Sequence, residues 1–137
     1  MAEFLISYGK TGRNEGGLAD SSHDAGKLTW AGIASRFHPE FEGWTIIHKV
    51  IEDLGLTGKT LDNPHAWKQV DAVLSQNKEL EQMKLAFYKK GFWDVLNLDN
   101  EPDQLIADTA YDAGVNKAWQ REKKWLEQSK EEASEIV

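Results

Sequence analysis

Apolar positions recur at helical spacing through most of the chain, punctuated by Gly, Pro and Asx residues. Ala2 to Lys10 reads as a short helix with Phe4, Leu5 and Tyr8 on one side. From Gly16 to Lys27 the pattern gives way to Gly, Ser and Asp, which predicts a loop, with a brief extended excursion or hairpin near Ala19 and Leu28. Thr29 is placed to cap a short helix running to Phe37, which Pro39 ends. Trp44, Ile47, Ile51 and Leu54 then form a helical stripe after Gly43, closed by Gly55. Gly55 to Asp62 is a turn-rich connector. Asn63-Pro64 signals the next start, an Asx cap followed by proline at the first helical position, and Trp67, Val70, Val73 and Leu74 follow.

A further helix runs from Leu80 to Lys90 and stops at Gly91. Phe92 to Leu96 is a short aromatic segment entering a loop, Asn97 to Glu101. Pro102 opens the last well-patterned helix, which carries Leu105, Ile106, Ala110, Ala113 and Val115. Lys117 to Val137 mixes Lys, Arg and Glu with Trp119, Trp125 and Leu126, the pattern of a solvated helix with a thin apolar edge. The fold class is mostly α. There is no internal repeat or linker, and 137 residues suit one domain with one substantial core.

Composition narrows the function. A formal net charge of -7 argues against nucleic-acid binding, which needs a basic surface. The absence of cysteine excludes disulfides, thiol catalysis and thiolate metal sites. His23, His38, His48 and His65 lack metal-ligand spacing, so no metal is expected. Gly58-Lys59-Thr60 looks like the end of a phosphate loop, but Asp53 stands where its first glycine would be and no apolar strand precedes it. Met1 to Ile6 carries an acid where a signal peptide needs positive charge, and no segment has the length of a membrane span. The expectation is a protein made in the cytoplasm, without membrane insertion.

The candidate chemistry lies between Glu15 and Ile33. Glu15 stands directly before Gly16-Gly17, which would end a helix, and the following loop brings Asp24 and Thr29. A glycosidase needs a carboxylic acid to protonate the leaving oxygen and a polar partner to activate or position water. The same residues also suit purely local work: Glu15 at a helix end, Asp24 in a turn, Thr29 as an N-cap. Residue type alone leaves both readings open. Asp108, Asp112 and Asn116 recur every four residues, so one face of the last helix is polar and faces either solvent or the catalytic segment.

Glu15-Gly16-Gly17, then Asp24 and Gly26, then Thr29-x-x-Gly32-Ile33, resembles the N-terminal signature of the Glu-Gly-Gly N-acetylmuramidases. These are phage-type endolysins, also known as secretion activator proteins, in the lysozyme-like superfamily. Tyr88 to Asp94 and Ile106 to Asn116 are similar to the family's second block. Ala25, Lys27, Leu18 and Ala118 depart from its usual residues.

The resemblance implies a lysozyme-like helical domain over residues 1–116, with 117–137 as a charged helix packed on it or extending from it. It implies a peptidoglycan hydrolase that cuts the glycan strand and needs no cofactor. Glu15 would be the general acid, Asp24 the base or electrostatic stabiliser, and Thr29 a holder of the attacking water. Trp30, Tyr88 and Trp93 would bind sugar, with Gly16, Gly17, Gly32, Asp112 and Asn116 as structural support. A holin or a secretion system would carry the protein to the wall. The rival functions are a lytic transglycosylase using the same glutamate and an inactive wall-binding or secretion accessory protein.

Overall fold

A computed structural model describes residues 1–11, 18–20, 28–56 and 64–136. In them the chain forms α1 (Phe4–Thr11), β1 (Leu18–Asp20), β2 (Leu28–Trp30), β3 (Ile33–Ala34), α2 (Gly43–Asp53), α3 (Pro64–Leu74), α4 (Lys78–Tyr88) and α5 (Gln104–Ile136). Between α4 and α5 lie a π-turn at Lys89–Trp93 and two 3-10 turns, Asp94–Leu96 and Leu98–Asn100. The fold is mostly α with a small antiparallel sheet, as expected of a lysozyme-like domain. The residues pack as two units, Asn14–Tyr88 and Met1–Arg13 with Lys89–Val137.

In the first unit the sheet runs β1-β2-β3, with Leu18 opposite Trp30, Ala19 opposite Thr29, and Trp30 opposite Ile33. The excursion expected near Ala19 and Leu28 is therefore β1 and β2. The helix expected from Thr29 to Phe37 is not formed: Thr29 lies inside β2, and β3 follows two residues after that strand. Trp30 and Ile33, three residues apart, are a cross-strand pair and not one face of a helix.

α2 follows its apolar stripe, with Trp44, Ile47 and Ile51 buried. Its end is a Schellman motif: Gly55, at φ +71°, donates to the Glu52 carbonyl at 2.9 Å, and Leu56 donates to that of Ile51 at 3.0 Å. Gly43 is required by close approach, since a Cβ there would stand 2.4 Å from the Phe41 ring. Phe41 is the hub of this core, stacked on Trp30 at 6.2 Å between centroids and set edge-on to Trp44 and Phe87. Pro64 is the first residue of α3, and Val70 and Leu74 are buried along that helix. α4 begins at an Asn77 cap, whose side-chain oxygen accepts the Leu80 N–H at 2.9 Å.

In the second unit α1 packs on α5. Phe4, Trp93 and Tyr111 form a cluster of edge-to-face rings with centroids 5.6 to 6.2 Å apart. Ala107, Tyr111 and Val115 place the buried face of α5. The helix starts at Gln104, two residues after the expected Pro102, because the Asp103 carboxylate accepts the Leu105 N–H at 2.9 Å and caps it. It then runs 33 residues without a break at 116 or 117, so the charged tail continues α5. Gly91 does not end the preceding helical path, which passes through it in the π-turn. No described helix is long and apolar enough to cross a membrane.

Candidate active site

Of the expected catalytic residues, Thr29 lies on β2. In β2 the side chains alternate, so Leu28 and Trp30 enter the core while Thr29, half-buried, faces the other way. Its cross-strand partners are Ala19 and Ala34. The β2–β3 hairpin is closed at its open end by Ser35, whose N–H donates to the Leu28 carbonyl at 2.7 Å and whose Oγ accepts the Leu28 N–H at 2.9 Å.

At the other end the two-residue loop is Ala31-Gly32, with φ +50° and +78°. Positive φ at both central positions is what a type I′ hairpin turn requires. Glycine meets that need without strain, which gives Gly32 its structural role. Alanine at Ala31 costs roughly 1–2 kcal/mol in this region. The Tyr88 hydroxyl donates to the Ala31 carbonyl oxygen at 2.5 Å, across to the end of α4. Neither Ala31 nor Ser35 stood out as a site residue in the sequence; an X-Gly pair between two buried apolar residues was the available signal.

Glu15, Gly16, Gly17 and Asp24 lie outside the described residues. Thr11, the last residue of α1, stands four positions before Glu15 in sequence. Its hydroxyl donates to the Asp112 carboxylate at 2.9 Å, and the Asn116 amide donates to the same carboxylate at 3.0 Å. One turn earlier on α5, Asp108 takes the buried Ser7 hydroxyl at 2.5 Å, the Gln104 amide at 2.9 Å and the Lys10 ammonium. These donors hold its carboxyl down at about 2, from an ordinary 3.8, with Lys10 the largest cause. Asp108 and Asp112 thus both bond to α1, but only Asp108 is half-buried there, while Asp112 stays exposed to solvent.

The three aromatic residues expected to bind sugar are core side chains: Trp30, Tyr88 and Trp93 are 7%, 1% and 0% exposed. Phe41 stacks on Trp30 and the Lys84 ammonium lies 5.7 Å from its ring centre. Trp93 is enclosed by Phe4 and Tyr111, and its indole N–H donates to Asp99 at 2.8 Å. A ring with no open face cannot stack on a sugar, so their contribution here is packing and support. Among the described residues, no group of three or more His, Asp or Glu side chains is arranged to hold a metal ion.

A mostly α fold with a small antiparallel sheet suits a lysozyme-like domain. The chain belongs to the glycosyl hydrolase 108 family, which it matches over residues 8–117. It is therefore a peptidoglycan hydrolase of the lysozyme type, with the glycan strands as substrate. No curated protein and no solved structure matches the chain.

Proposed function

We propose that the enzyme is an N-acetylmuramidase that hydrolyses the bond between N-acetylmuramic acid and N-acetylglucosamine, with Glu15 as general acid. Glu15 protonates the glycosidic oxygen as the bond to the anomeric carbon breaks, and the oxocarbenium-like centre is captured by water. Asp24 stabilises that centre or takes the water's proton, and Thr29 holds the water. The role asks that Glu15 keep its proton near neutral pH, which a carboxyl does where its surroundings disfavour the charged form.

The observation that carries the reading is the placement of Thr29. It sits in a hairpin closed at one end by Ser35 and at the other by Tyr88, on the strand face opposite the core. A residue that positions water must itself be fixed, since misplacement of a reacting group by about 1 Å can cost ~100-fold. Export would fall to a holin or a secretion system.

The mass of the released muropeptides tests this reaction. Products that have gained water and carry new muramic reducing ends are expected. Anhydro-muramic ends would instead assign the protein to the lytic transglycosylases. Wall binding without any product would make it an inactive accessory protein.

A further inference from the structure

We propose that Tyr88 is a positioning residue for Thr29, acting through the Ala31 carbonyl and not through contact with sugar. The proposal rests on the reading in which Thr29 holds the attacking water.

Three observations carry it. Tyr88 is enclosed, so its ring is closed to a sugar, yet its hydroxyl makes a directed bond to one backbone oxygen at 2.5 Å. That oxygen belongs to Ala31, a residue with a Cβ held at φ +50°, where only glycine and a few polar residues rest comfortably. Ala31 follows directly on β2, whose Thr29 and Trp30 are paired with Ala34 and Ile33. If the turn relaxes at Ala31, the register that aims Thr29 relaxes with it, because a one-residue slip reverses the face of every side chain in the strand. A tyrosine at the end of α4 thereby holds a conformation that the turn's own sequence does not favour. An Asn-Gly pair would have held it unaided.

The test uses Tyr88→Phe, which removes one oxygen and leaves the ring, together with Ala31→Gly and the double variant. On soluble glycan strands, Tyr88→Phe should lower kcat about tenfold with KM within about twofold, as the loss of one such bond implies. Ala31→Gly alone should stay close to wild type. In the double variant, glycine accepts the positive φ without the tyrosine, and kcat should return to within about twofold of wild type. Gly32→Ala, which strains the same turn with Tyr88 intact, should lower kcat in the same way.

Full kcat in Tyr88→Phe, a rise in KM alone, or a loss that Ala31→Gly does not recover would overturn the proposal. Amide exchange at Trp30, Ile33 and Ser35, whose pairs carry the hairpin's ladder bonds, reads the turn without turnover. It should quicken in Tyr88→Phe and recover in the double variant, and unchanged exchange overturns the proposal independently. A wild type that releases no product would count against the muramidase reading, while exchange would still decide whether Tyr88 holds the turn.

Discussion

The hydroxyl of Thr11, at the end of α1, donates to the Asp112 carboxylate on α5 at 2.9 Å, and that carboxylate also accepts from Asn116. This bond joins the end of α1, four positions before Glu15 in sequence, to α5, the longest described helix. Thr11→Val keeps the shape and removes the donor. We expect it to cost about 1 kcal/mol in denaturant unfolding, the net worth of one partly buried hydrogen bond. Asn116→Ala leaves Thr11 paired and should cost less. Equal costs would mean that the contact does not hold α1.

Asp108 makes stability depend on pH. Its carboxyl is held at about 2 in the folded chain against an ordinary 3.8. The folded state therefore prefers it ionised, and the stabilisation is fully present above about pH 4. It is lost as pH falls from there through about 2. Asp108→Asn should flatten the melting temperature across that window while leaving the profile near neutrality similar in slope. A profile as steep as wild type below pH 4 would assign the acid sensitivity to other carboxylates.

Two glycines should respond with opposite sign. A Cβ on Gly43 would meet the buried Phe41 ring at 2.4 Å and Leu80 Cδ1 at 2.8 Å, so Gly43→Ala should destabilise by about 1–3 kcal/mol. Gly9, within α1, has nothing within 4 Å of that position. Gly9→Ala should stabilise by about 0.5–1 kcal/mol through helix propensity. Thermal melts of the two variants would check both signs.

Trp93 distinguishes packing from sugar stacking. Trp93→Phe removes the N–H bonded to Asp99 and part of the ring that packs on Phe4 and Tyr111. A loss of about 1–3 kcal/mol in stability is expected, with KM for glycan strands unchanged. A rise in KM without loss of stability would return Trp93 to the sugar-binding surface.

Much of this arrangement is legible in the sequence. The stripe of α2, its Gly55 stop and the Pro64 start are local signals that tertiary packing leaves intact. The β2–β3 hairpin reads as a helix because Trp30 and Ile33, three apart, suit a helix face as well as the two sides of a two-residue turn. Ala31-Gly32 is also a weak turn signal, made tenable by Tyr88, fifty-seven positions away. Gly91 reads as a stop, yet the path stays helical through it, and the neighbouring Trp93 is buried with its indole N–H bonded to Asp99. The bonds from Asp108 and Asp112 to α1 could not be told from a purely solvated face by spacing alone, since either recurs every four residues. Their partners Ser7, Lys10 and Thr11 lie about a hundred residues upstream.

The central claim is that Glu15 supplies the proton. Clearing of purified peptidoglycan should be compared for wild type and Glu15→Gln, after both are shown to melt at the same temperature. The account predicts that wild type clears the suspension and that Glu15→Gln does not, a loss of at least about 100-fold. Clearing by Glu15→Gln at the wild-type rate would contradict it and place the general acid elsewhere in the chain.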